Sequence, residues 1–144
     1  MSLFFSIAVF VFGLIVGSFL NCVIYRLEVG KSFLKGRSFC PYCKHQLSWQ
    51  DLIPLFSFLI LRGKCRYCRQ KISFQYPLVE LVAGIIFLLN VRISDFLLSF
   101  NVWEIGYLNI VASFLIIVFV YDLKHYIIPD KIIYPAIAIT LVFD

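Results

Sequence analysis

Apolar residues run in long blocks along this chain and give way to charge only in the intervals between them. Met1 to Tyr25 holds no charged residue and ends at Arg26. About 20 residues rising 1.5 Å each cross the hydrocarbon core of a bilayer, so this block predicts a first transmembrane helix over residues 1–25. A cleaved signal peptide fits less well, because no basic region precedes the apolar run and no Ala-x-Ala site follows it. Pro77 to Val91 is apolar apart from Glu80 and Asn90, and Ile105 to Tyr121 carries no charge; these predict the second and third spans. Ile132 to Phe143 opens a fourth block, but about twelve residues are too few to cross. The chain therefore reads as a fragment cut within a helix. The pattern as a whole predicts an all-α polytopic membrane protein.

Charge gives the spans an orientation. The 144-residue chain is 62% hydrophobic, too apolar for an ordinary soluble domain. Between Arg26 and Gln75 lie ten of its thirteen Lys and Arg residues against Glu28 and Asp51, a net +8; the remainder is net −3. By the positive-inside rule the loop is cytoplasmic, with Asp122 and the Lys124 to Lys131 segment on the same side. The predicted organisation is a first transmembrane helix (1–25), a cytoplasmic basic loop (26–75) and further transmembrane helices (76–144). A basic loop also suits nucleic acid. Topology and anionic lipid already account for these residues, however, so membrane lipid is the expected partner and nucleic acid is not.

Candidate chemistry begins in the loop. Cys40-Pro41-Tyr42-Cys43 and Cys65-Arg66-Tyr67-Cys68 are two CxxC pairs separated by 21 residues. Each pair can turn two thiolates toward one point, and two pairs supply the tetrahedral sulfur set that zinc prefers. A reducing cytoplasm favours metal binding over disulfides at such pairs. Four thiolates leave no open coordination position, so the expected zinc is structural. Cys22, the fifth cysteine, reads as a small packed residue. The stretch Leu52–Leu61, interrupted by Pro54, is too short to span; it is expected to lie along the membrane surface or beneath the metal site, with Trp49 at the interface.

Within the spans, Gly13 and Gly17 form a GxxxG, which presents a flat helix strip to a neighbouring backbone. Asn21 follows and needs a hydrogen-bond partner if it faces away from water. Glu80 falls in the first turn of the second span. The helix macrodipole favours a carboxylate there, yet an ionisable group at the hydrocarbon edge is also a candidate for function.

Asp122 emerges at the end of the third span, where the macrodipole disfavours a carboxylate; that misplacement points to function. Asp130 precedes the fourth block and reads as a helix N-cap. Two carboxylates can divide base and acid work on one water only when nearly in contact. Eight residues of helix would hold Asp122 and Asp130 about 12 Å apart. His125 has no serine or cysteine nucleophile evidently arranged for it, so a catalytic triad finds little support.

Taken in order, these segments resemble the bacterial type IV prepilin peptidases, or leader peptidases/N-methyltransferases. The matching residues are Gly13–Asn21 with Tyr25-Arg26-Leu27, Cys40–Cys43, Leu47–Leu55 and Leu61–Cys68. They continue with Tyr76–Glu80 and Gly84, then Asp122 with Ile128-Pro129-Asp130. The resemblance implies an aspartyl endopeptidase of the bacterial cytoplasmic (inner) membrane that cuts the basic leader from type IV pilin-like precursors. Many members also methylate the new amino terminus with S-adenosylmethionine.

It further implies that Asp122 is catalytic, that Cys40, Cys43, Cys65 and Cys68 bind zinc, and that Glu80 and Gly84 belong to a methyl-transfer region. The family's second catalytic aspartate lies in a Gly-x-Gly-Asp motif that this sequence does not contain, so the fragment alone is expected not to cleave. The competing expectation is a non-catalytic, membrane-anchored zinc module that binds assembly partners.

Overall fold

The computed structural model describes residues 3–30, 37–96, 101–126 and 130–143, the side chains of 130, 131 and 140–143 apart. Three long helices carry the fold: α1 (Leu3–Glu28), then, after a short α2 (Phe56–Ile60), α3 (Gln75–Phe96) and α4 (Val102–His125); α5 (Asp130–Phe143) follows. At 1.5 Å per residue the three long helices measure about 39, 33 and 36 Å, enough to cross a core of about 30 Å. Each is apolar enough to do so. The chain is an all-helical multi-pass membrane protein with a four-cysteine loop after its first helix, and the described residues form no strand.

The helices run beyond the apolar blocks that announce them. α1 continues through Arg26 to Glu28 and closes at Gly30, whose φ of +65° suits glycine. α3 starts two residues before Pro77, a position within the first turn where the absent N–H leaves no bond unmade. Asn101 caps α4 by accepting a hydrogen bond from the Trp103 amide at 3.1 Å. At the other end, Tyr126 turns left-handed and its amide returns to the Asp122 carbonyl at 2.8 Å. Asp130 stands as the first helical residue of α5; Ile128 and Pro129 lie outside the described residues.

The core forms where α1, α3 and α4 meet. Ile24 is fully buried and clusters with Leu20, Val23, Val79, Ala83, Ile116 and Ile117. Across α1 and α3 the approach is set by glycine. A Cβ on Gly13 would come within 2.7 Å of the Gly84 Cα, and one on Gly17 within 2.6 Å of the Glu80 Cα. The GxxxG strip is thus a helix-packing face. Farther along, the Asn90 amide donates to the Asn109 side chain at 2.8 Å and joins α3 to α4. Outward-facing Phe4, Phe12, Phe19 and Phe119 are exposed, as befits residues that meet lipid rather than water.

Candidate metal centre and adjoining cavity

The two CxxC segments fold into matching turns. In the first, the Lys44 amide donates to the Cys40 carbonyl and the Cys40 amide to the His45 carbonyl, both at 3.0 Å. In the second, Arg69 donates to Cys65 at 3.1 Å and Cys65 to Gln70 at 2.8 Å. An isolated bridge closes each turn, Phe39 with Gln46 and Lys64 with Lys71. The residue after each second cysteine is left-handed, Lys44 at φ +58° and Arg69 at φ +59°. A left-handed residue there lets the chain reverse at once, which brings both thiols of a pair to one side.

The outcome is a sulfur cluster. The sulfurs of Cys40, Cys43, Cys65 and Cys68 all lie within 4.8 Å of one another and could hold a metal ion. Cys40 and Cys68 are 3.8 Å apart, one from each turn. Burial acts to raise the Cys40 thiol, but the Cys43 and Tyr42 amides and neighbouring thiols outweigh it and bring it down to about 7. For Cys68 the Gln70 amide acts to lower the value, while burial and the three other thiols push it up to about 11. Such mutual opposition of four thiols is what a bound cation would relieve.

Polar contacts lock the turns together. The Asp51 carboxylate takes the Arg66 Nε at 2.7 Å, the Tyr67 hydroxyl at 3.3 Å and the Ser48 hydroxyl at 2.8 Å. His45 and Tyr67 stack with centroids 3.7 Å apart. Tyr25 on α1 meets Phe39 edge-on at 5.8 Å, which ties the first turn to the membrane helix.

Between this loop, α1 and α3 lies a cavity of about 370 Å³, with Lys124 contributed by α4. Glu80, 8% exposed, accepts the Leu55 amide at 2.8 Å and the Ser18 hydroxyl. Asn21, 2% exposed, donates to the Tyr76 carbonyl at 2.9 Å, while its Oδ1 has no partner among the described residues. At the rim, Glu28 pairs with Lys124 at 2.7 Å and lies 3.8 Å from the His125 ring nitrogen.

The structure gathers the four cysteines, and it sets Glu80 in the cavity wall beside them. Gly84 sits one turn deeper, packed against Phe10 and Leu14. Asp122 is exposed at the end of α4 and is not among the cavity residues. Cys22 is a half-buried thiol that lines the cavity and takes the Ser38 hydroxyl at 3.9 Å. Trp49 is 72% exposed. The stretch Leu52–Leu61 packs Phe58 against Phe74 and Gly63 and leaves Phe56, Leu59 and Ile60 outward. Ser18, Glu28 and Leu55 were not anticipated; Ser18 is the one with a signal, a hydroxyl one turn before Asn21 in an uncharged span.

Known proteins resemble this chain over most of its length. It is 40% identical over 131 residues to a prepilin leader peptidase/N-methyltransferase of Myxococcus xanthus, covering 91% of this chain and 38% of that protein. Proteins of the same name from Klebsiella pneumoniae (37% over 141 residues, 94% and 60%) and Bacillus subtilis (38% over 125 residues, 86% and 48%) are also similar. The chain thus spans between 38% and 60% of the length of these relatives. No solved structure matches it. Residues 11–93, which hold the GxxxG strip, both cysteine turns and Glu80, match the model of the bacterial peptidase A24 N-terminal domain. The chain belongs to that family.

Proposed function

We propose that this chain is the amino-terminal part of a prepilin leader peptidase that also methylates its product, with Asp122 as one of two catalytic aspartates. The observation that carries the reading is the sulfur cluster and the cavity built from one domain, set at the bundle end where α4 delivers Asp122. Relatives similar to most of this chain are named for both activities. The substrates are type IV prepilin-like precursors, and the cysteine loop and Asp122 face the cytoplasm, a reading that the +8 loop charge supports by the positive-inside rule.

The sulfur cluster suits zinc. Bonds of about 2.3 Å in a tetrahedron put sulfurs about 3.8 Å apart, the separation of Cys40 from Cys68. Cys40, Cys43, Cys65 and Cys68 would hold it, and four such ligands would let it supply cross-linking rather than catalysis.

For cleavage, Asp122 supplies a carboxylate at an exposed helix end, able to orient a water or take its proton. An aspartyl mechanism needs a second carboxylate to share that work. No Gly-x-Gly-Asp occurs in the sequence, so under this reading the chain alone does not cleave. The basic loop faces lipid or the apolar part of the substrate, which leaves the acidic Asp122 for the basic leader.

The cavity fits S-adenosylmethionine by chemistry as well as size. Small-molecule sites run from about 300 to 1,000 Å³, and the Asn21 Oδ1, unpartnered among the described residues, offers an acceptor to a ligand that is cationic and rich in donors. When bound, it supplies a methyl group for an amine. Ser18, Asn21 and Tyr76 would hold it, while the cysteine loop screens the site from water. Isotope-labelled methyl transfer to a cleaved precursor, followed in membranes carrying the natural-length protein, tests this half of the reading. An Asn21→Leu variant should lose transfer and keep cleavage; loss of neither would refute the cavity assignment.

A further inference from the structure

The segment between the two cysteine pairs, which supplies Leu52, Ser57, Phe58 and Leu61 to the cavity lining, contains a strained turn. The Phe56 amide donates to the Pro54 carbonyl at 2.6 Å, which makes Leu55 the centre of a γ-turn. Leu55 has φ +59° and ψ −48°, the rare and strained form of that turn. Such a conformation persists only where surrounding contacts hold it. Here the contact is identifiable. The Leu55 amide points away from its own turn and donates to the Glu80 carboxylate at 2.8 Å.

Glu80 is placed for that role by α1. The bare Gly17 lets the two backbones close until a Cβ would lie 2.6 Å from the Glu80 Cα, and the neighbouring Ser18 hydroxyl reaches the same carboxylate. The side chain is buried and takes both donors at once. A carboxylate so engaged accepts hydrogen bonds; it has a neutral isostere in glutamine that retains one acceptor oxygen.

We propose that Glu80 is a positioning residue: by accepting the Leu55 amide it latches the strained Pro54–Phe56 turn, and with it the cysteine loop, over the cavity between α1 and α3. It acts through its acceptor oxygens and not as an acid, a base or a methyl carrier. The sulfur cluster holds the two CxxC turns to each other, and Glu80 holds the segment between them to the membrane bundle. The methyl-transfer arm of the test rests on the function proposed above; the exchange arm does not.

The experiment is hydrogen–deuterium exchange of residues 53–61 in the full chain in lipid nanodiscs, paired with methyl transfer by the natural-length protein. Glu80→Ala should speed exchange in that segment roughly ten- to a hundredfold, as expected for a lost bond to a charged acceptor. Amides of α1 and α3 should stay protected. Glu80→Gln should retain both loop protection and methyl transfer. Unchanged exchange in Glu80→Ala overturns the latch, and loss of either property in Glu80→Gln overturns the acceptor-only role. If Glu80→Ala also exposes the helices, Glu80→Gln decides alone. A wild-type protein that transfers no methyl group refutes the proposed function while the exchange result still judges the latch.

Discussion

Gly17 on α1 lies directly against Glu80 on α3, so near that a side chain on the glycine would reach within 2.6 Å of the Glu80 Cα. A GxxxG strip and a carboxylate 63 positions later are thus one structural unit. The first predicted outcome follows from it. Gly17→Ala forces the helices apart and should destabilise the bundle by about 1–3 kcal/mol, the usual cost of overpacking. Gly106→Ala is the control, since an added Cβ there would meet nothing within 4 Å among the described residues beyond its own stretch of helix. It should be neutral or gain up to about 1 kcal/mol from helix propensity. Denaturant unfolding in micelles measures both, and equal effects would contradict the close approach.

Removing one sulfur should empty the metal centre. Cys40→Ser replaces a buried thiol, brought down to about 7 against its burial by the Cys43 and Tyr42 amides and neighbouring thiols, with a hydroxyl that does not ionise near neutrality. Metal content per chain, measured after purification, should fall to background, with faster proteolysis around Arg62 and Lys64. A metal content equal to wild type would remove Cys40 from the ligand set.

Acid should loosen the loop through Asp51 as well. Burial acts to raise its carboxyl, but the hydrogen bonds from Arg66 and Ser48 and the Arg66 charge overcome it and hold the group below the ordinary carboxylate range. A lowered folded pKa contributes stability that is complete above the unfolded value of about 3.9 and is lost as pH falls through the folded one. Arg66 is 43% exposed, so the pair contributes no more than about 1 kcal/mol. The difference in loop protection between wild type and Asp51→Asn should therefore shrink as pH drops from about 5 to about 3. A difference that grows in acid would reverse the sign.

Inside the membrane, the Asn90–Asn109 bond at 2.8 Å joins α3 to α4. Interhelical hydrogen bonds there contribute about 0.6–2 kcal/mol. Asn109→Leu should cost about that much in unfolding free energy, and no cost would mean that Asn90 finds an equivalent partner.

What the residue pattern could and could not reveal divides along physical lines. The three spans were legible because lipid selects residue character over a length, and no particular partner has to be known. The cysteine cluster was legible because a sulfur-ligated metal needs few residue types at short spacing. Helix ends were not: α1 and α4 carry Arg26, Glu28, Lys124 and His125 past the apolar blocks. The Glu28–Lys124 pair across the bundle offsets that cost, and it joins residues 96 positions apart. Nor did any residue type announce the Leu55 turn, which depends on a carboxylate 25 positions later. Asn21 shows an intermediate case. Its need for a partner was plain from its place in an apolar span, but that the partner is a carbonyl on α3, with Oδ1 unpartnered among the described residues, is a matter of packing.

Cleavage, under the proposed function, depends on Asp122. The direct measurement is cleavage of a type IV prepilin-like precursor in membranes carrying the natural-length protein, with Asp122→Ala compared with Asp130→Ala and wild type. Loss of a catalytic acid or base costs roughly 10²–10⁴-fold in rate, so Asp122→Ala should fall at least that far while Asp130→Ala retains most activity. Wild-type cleavage by Asp122→Ala would contradict a catalytic role for Asp122, and absence of cleavage by the wild-type protein itself would favour a membrane-anchored metal module without catalysis.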